Sequence, residues 1–227
     1  MVNERHIFSF SERSAMKVQA RRYKSFATIN SPHALLDALQ DNGVVFLLSY
    51  YFFDAVTGWF SFAFRILKAP VGLIGSAFYQ VFYQRASEAR IKGDDLQAMI
   101  RSIYKRMFLI GFPGFFILFL FTPQLFSWIF GAKWKEAGEI AQILIPWLFL
   151  NFIVSPVSCI PLVFNRQRDA FLITIFDTLV RATALVIGGL KGDYRLSFFI
   201  ISIFCSLLML FAMWWYHAMA KRKDHDG

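Results

Sequence analysis

The chain has 227 residues, a formal net charge of +9, 57% hydrophobic and 19% aromatic residues, and only 17% charged side chains. Soluble domains carry about 25% charged residues, so the composition argues against one. The basic excess fits the loops of a membrane protein better than a nucleic-acid interface. Three runs without a charged side chain, Met107–Ala132, Ile140–Asn165 and Leu196–Ala220, each exceed the roughly 20 residues that a membrane-crossing helix needs. The expected fold class is all-α: a polytopic membrane protein with a bundle of about six transmembrane helices.

In chain order, residues 1–30 read as a basic cytoplasmic segment without the apolar core of a signal peptide. Residues 11–27 place Met16, Ala20 and Tyr23 on one face, which suits a helix lying on anionic headgroups. Residues 31–219 read as the bundle. Span one covers about residues 32–53, with Ser31 as cap and Pro32 at the first helical position. Span two covers about residues 57–82. Asp94 is placed to cap a helix whose apolar positions Leu96, Met99, Ile100, Ile103 and Met107 lead into span three.

Span three covers about residues 106–121 and is loosened by Gly111, Pro113 and Gly114. Thr122-Pro123 is expected to end it, with a short aromatic helix following to Gly131. Span four, about residues 139–163, contains Pro146, Pro156 and Pro161. Its Asn151, Ser155 and Ser158 suit hydrogen bonds between helices. Span five covers about residues 170–190. Span six covers about residues 196–219 and ends in the interfacial belt Trp214-Trp215-Tyr216. Residues 220–227 form a basic tail.

Basic residues set the direction of insertion. Arg5, Arg13, Lys17, Arg21, Arg22 and Lys24 precede span one, and Arg85, Arg90, Lys92, Arg101, Lys105 and Arg106 lie in the second loop. Arg166 and Arg168 lie in the fourth loop, and Lys221, Arg222 and Lys223 in the tail. The opposite side has only Lys133, Lys135, Lys191 and Arg195. Both termini are therefore expected in the cytoplasm.

Arg65, Lys68 and Arg181 remain within spans. Each would cost about 2.5–3.5 kcal/mol at the centre of a helix facing lipid, so they are expected to face the interior, a partner or water. Arg65 and Lys68 share a helix face. Lys68 and Arg181 each lie about 16 Å into their spans at 1.5 Å per residue. One reading is a cationic cavity for a phosphate or pyrophosphate, which arginine binds in bidentate fashion. Asp177, four residues before Arg181, offers the other reading for that residue, an internal ion pair. Asp37, Asp41 and Asp177 are the acidic candidates for cation coupling. Asp37 and Asp41 equally suit the positive end of the span-one helix. The pairs Gly72/Ser76 and Ala184/Gly188 have the spacing of close helix packing.

Cys159 and Cys205 read as packing residues, and His6, His33, His217 and His225 are scattered. Neither a catalytic constellation nor a phosphate-binding glycine loop nor a metal pattern is present in the sequence. The expectation is a non-enzyme without a cofactor or metal.

Residues 58–82 carry Gly58, Ala63, Arg65, Pro70, Leu73-Ile74-Gly75, Ala77 and Gln80-Val81-Phe82. Residues 130–167 carry Phe130-Gly131, Trp134, Ala137-Gly138, Pro146-Trp147-Leu148, Ser155-Pro156, Ser158 and Asn165-Arg166-Gln167. These segments resemble the bacterial lipid-linked oligosaccharide (O-antigen type) flippases of the multidrug/oligosaccharidyl-lipid/polysaccharide exporter superfamily. Arg181 falls where such proteins often carry arginine. Lys68 departs from the mainly uncharged pattern expected at its position.

The resemblance implies two pseudo-symmetric bundles of six helices around a central cavity, of which this chain matches the second. It implies transport of undecaprenyl-pyrophosphate-linked sugars across the bacterial cytoplasmic (inner) membrane by alternating access. Arg65, Lys68 and Arg181 would attract the pyrophosphate. The implied partners are lipid-linked oligosaccharide, membrane lipids and a first six-helix lobe or a second copy, with no nucleic acid. A truncated or non-transporting membrane subunit of the polysaccharide assembly machinery is the alternative.

Overall fold

A computed structural model describes residue 40 and residues 42–221. Asp37 and Asp41, the start of span one, the basic N-terminal segment and the tail beyond Lys221 lie outside the described residues. The chain divides into two units, residues 1–41 and 42–227, and the long helices all belong to the second.

Helix α1 covers residues 42–51 and buries Val44 and Leu48. After an extended Phe53, α2 runs from Asp54 to Lys92. Its 39 residues rise about 58 Å at 1.5 Å each, roughly twice the hydrocarbon thickness of a bilayer. The segment expected as the start of a basic loop, with Arg85, Arg90 and Lys92, is thus the continuation of a helix. Gly93, at φ 76°, closes α2 in the left-handed conformation that glycine adopts without strain.

Helix α3 spans Leu96–Phe130. Its cap is Asp95, which accepts from the Ala98 N–H at 3.0 Å, one residue after the aspartate expected from the sequence. Asp94 belongs to the closing turn of α2, its N–H donating to the Ala89 carbonyl, and α3 begins at Leu96, which puts Asp95 in the cap position. Leu96, Ile100 and Met107 are buried as their spacing predicts.

The expected break at Thr122-Pro123 is absent: α3 continues through both Pro113 and Pro123. A proline leaves the carbonyl four residues earlier without its N–H partner. For Pro123 that carbonyl belongs to Phe119, and Gln142 of the next long helix donates to it at 2.6 Å. The fully buried Thr122 hydroxyl bonds back to the Leu118 carbonyl. Helix breaking is avoided because another helix supplies the missing donor.

A 3-10 turn, Ala132–Trp134, leads into α4, Lys135–Val154. The expected fourth span then breaks at its second proline into a 3-10 turn, Ser155–Val157, and the short α5, Ile160–Val163. Helix α6 covers Gln167–Lys191, and α7 covers Tyr194–Lys221. They form a hairpin around Gly192, at φ 67°, with the Asp193 side chain accepting from the Leu196 N–H at 3.1 Å.

Five helical segments among the described residues are long and apolar enough to cross a membrane, and the shorter α1 precedes them. The protein is an all-α polytopic membrane protein. The segment containing α4 sits at its centre, with 61% of its apolar window buried against 17–33% for the other four. Helices α2, α3 and α7 surround it, and α6 packs on α7.

Close approaches show where backbones meet. A Cβ on Gly138 would lie 2.6 Å from the Pro123 Cα, so α3 and α4 touch there through backbone. A Cβ on Gly188 would lie within 2.7 Å of the Asp193 carbonyl oxygen and on the Ser197 hydroxyl, so the expected Ala184/Gly188 packing is realised at the α6–α7 turn. The Gly72/Ser76 pair is not used inside the bundle. Gly72 has nothing within 4 Å of a Cβ, and the glycine that packs is Gly75, against Ser155 at the break after α4.

Candidate functional site: an exposed cationic stripe and a buried ion pair

The three intramembrane cations separate into two environments. Arg65 and Lys68 are exposed on α2. At 100° per residue they share a stripe with Gly58, Ser61, Gly72 and Ser76. All are exposed except Ser61, which is half-buried. The face that packs on the bundle is different: Ala63, Leu67, Val71 and Gly75 are buried. Thus α2 turns one face to its own bundle and a small, polar, cationic face away from it.

Arg181 is buried on α6, 9% exposed, beside Asp177 at 6%. Its Nη2 donates to Asp177 Oδ2 at 2.6 Å. The ion-pair reading of the i, i+4 spacing is therefore the arrangement present. The guanidinium also lies over the Trp147 ring, 4.5 Å from its centroid, an attraction of about 2 kcal/mol when both groups are desolvated. Cys205 of α7 is an electrostatic neighbour of both charges. Among the described residues, Arg181 Nε and Trp147 Nε1 are buried donors without an acceptor.

Two aromatic rings join these environments. Lys68 Nζ lies 5.0 Å from the Phe64 centroid, and Phe64 stacks on Trp147 with centroids 6.0 Å apart and planes at 4°. The order in space is Lys68, Phe64, Trp147, Arg181 and Asp177. The structure thus links Lys68 to Arg181 through aromatic faces across α2, α4 and α6. Sequence reasoning missed Phe64 and Trp147. The i, i+4 spacing of Phe64 and Lys68 was a signal for half of this stack, whereas the contact to Trp147 exists only once α2 packs on α4.

Ser155 contributes to packing rather than to a site, and the Ser158 hydroxyl bonds locally to the Ser155 carbonyl at 2.8 Å. Away from the stack, Arg195 at the start of α7 pairs with Glu136 at 3.0 Å and Glu139 at 2.5 Å in the first turns of α4. Tyr194 donates to the same Glu136 carboxylate at 2.8 Å. This cluster ties the start of α7 to the start of α4. At the other end Arg90 donates to the Val163 carbonyl and Gln97 to the His217 carbonyl. Among the described residues no three His, Cys, Asp or Glu side chains gather as a metal site.

A family model described as "Polysaccharide biosynthesis protein" matches residues 7–139, which include α2, α3 and the cationic stripe. The lipopolysaccharide biosynthesis protein WzxC of Escherichia coli (strain K12) is 21% identical over 198 residues, covering 85% of this chain. The chain spans only 39% of that relative's length. No solved structure matches. On the family match, which takes in more than half of the sequence, the chain belongs to the polysaccharide biosynthesis protein family.

Proposed function

We propose that the chain forms the C-terminal lobe of an exporter that moves polyprenyl-pyrophosphate-linked sugars from the cytoplasmic to the outer leaflet of the bacterial inner membrane. The α2 stripe is the observation that carries this reading. A helix facing lipid would bear about 2.5–3.5 kcal/mol for each mid-span cation, yet Arg65 and Lys68 lie on the face turned away from the bundle. A water-filled cavity shared with a second lobe removes that cost and gives a pyrophosphate two cationic contacts. The partial coverage of WzxC supports a lobe that works with a further one. The basic residues at the Lys92, Arg166 and Lys221 end support a cytoplasmic placement of that end.

In this reading Arg65 and Lys68 meet the anion first. Arg181 joins them when the pyrophosphate competes with Asp177 for its guanidinium, and the released Asp177 then takes up a proton or cation. Asp37 and Asp41 are the remaining coupling candidates. Rocking of two lobes about the site provides alternating access.

Affinity purification of the chain from its own membranes tests the lobe reading. A six-helix partner or a second copy should co-purify. A lone monomer that also fails to restore surface polysaccharide in an exporter-deficient strain would leave the non-transporting subunit reading in its place. Where export is restored, Arg65→Gln and Lys68→Gln should lower it at unchanged membrane levels, and unchanged export would remove the cationic-cavity role.

A further inference from the structure

Between α6 and α7 lies a groove of about 460 Å³, lined by Leu172, Ile173, Phe176, Phe204, Leu207, Leu208 and Phe211. Its volume falls in the roughly 300–1,000 Å³ range of ligand pockets, but its lining residues are all apolar. It therefore offers a site for a hydrocarbon chain and none for a headgroup. Both helices are long and apolar enough to cross the membrane, which turns a groove between their outer faces toward lipid.

One end of the groove is marked for a headgroup. Arg168, Leu172 and Phe176 follow one another at intervals of four on α6 and so share a face. Arg168 stands about 6 Å from Leu172 along the axis. It is exposed and has no ion-pair partner among the described residues, whereas neighbouring Arg166 is held by Asp169 at 2.6 Å. On α7, Trp214 continues the face of Leu207 and Phe211, and its ring lies 5.8 Å from that of Phe211. Leu172 and Phe211 line the same groove, so in this antiparallel hairpin the next turn brings Arg168 and Trp214 to one level. An arginine at the start of a helix, level with an exposed tryptophan on its neighbour, is a pairing of the membrane–water interface.

We propose that this groove is a binding site for one anionic phospholipid, with an acyl chain between α6 and α7 and its phosphate at Arg168. The site lies on the hairpin and not on the α2 stripe, and its occupancy does not depend on the transport reading.

The test is native mass spectrometry of the delipidated full chain, titrated with dioleoyl phosphatidylglycerol or dioleoyl phosphatidylcholine. One phosphatidylglycerol should be retained in preference to phosphatidylcholine by about fivefold, the effect of one basic residue near an anionic headgroup. Arg168→Gln should abolish the preference. Leu207→Trp should displace both lipids, and because Leu207 is 56% exposed this change is compatible with folding. Arg101→Gln, which removes an exposed cation from α3, should change nothing. Equal retention of the two lipids, unchanged binding in Leu207→Trp, or an equal effect of Arg101→Gln would overturn the site. Tighter retention of a polyprenyl phosphate than of phosphatidylglycerol would overturn the phospholipid and give the groove to a substrate chain.

Discussion

Gln142 on α4 donates to the Phe119 carbonyl on α3 at 2.6 Å, replacing the N–H that Pro123 lacks. Phe119 is exposed on an apolar helix, and in hydrocarbon, where no water can serve it, an unpaired carbonyl costs several kcal/mol. Gln142→Leu should therefore lower the melting temperature of the detergent-solubilised chain. Pro123→Ala in the same chain should recover most of the loss, because alanine restores the helical N–H. Absence of that recovery would show that Gln142 acts through packing alone.

Asp177 and Arg181 should be strongly non-additive. Removing one member of a buried pair typically costs about 3–5 kcal/mol, while replacing both by apolar residues is often neutral or stabilising. Asp177→Leu is thus expected to melt far below Asp177→Leu/Arg181→Leu. If the double variant is the less stable of the two, the pair is not held as an isolated buried charge couple.

The glycines separate packing within the lobe from packing against a partner. Gly138→Ala forces a Cβ to within 2.6 Å of the Pro123 Cα, and overpacking of this kind costs about 1–3 kcal/mol. Gly72→Leu meets nothing within 4 Å of its Cβ and should leave melting unchanged. If the α2 stripe faces a second lobe, Gly72→Leu should instead weaken co-purification of that lobe. Wild-type co-purification by a folded Gly72→Leu chain would argue that the stripe is not closely covered.

The Arg195 cluster should matter less and respond to salt. Its side chain is 48% exposed, and its partners Glu136 and Glu139 are 35% and 26% exposed. Arg195→Gln should therefore cost no more than about 1 kcal/mol. The difference from wild type should shrink between 50 mM and 1 M salt, because screening acts on exposed pairs. A loss that ignores ionic strength would assign Arg195 to packing.

Long apolar runs made the helices legible, and the i, i+4 spacing of Asp177 and Arg181 made their pair legible. What escaped depended on a second helix. Pro123 ends a helix in isolation, and only the approach of Gln142 makes its continuation favourable. Choosing between Asp94 and Asp95 as the cap required knowing where the closing turn of α2 ends and α3 begins. Gly72 has Ser76 four residues on, whereas Gly75 has Val71 and Tyr79 at that spacing, so the sequence pointed to Gly72 and only the packing of α2 against the break after α4 selects Gly75. Arg65 and Lys68 sharing a face was legible from their spacing. That this face points away from the bundle was not, since the exposure of a helix face is set by its neighbours.

The length of α2 has a mechanical consequence. From Arg65 to Lys92 the helix rises about 40 Å, so a tilt of about 5° at the stripe would swing its far end by roughly 3.5 Å. Near that end Arg90 grips the Val163 carbonyl and lies 4.8 Å from the centroid of the Phe164 ring. A tilt of α2 at the cationic stripe would therefore reach the joint between α5 and α6, which Arg90 holds, as a larger displacement.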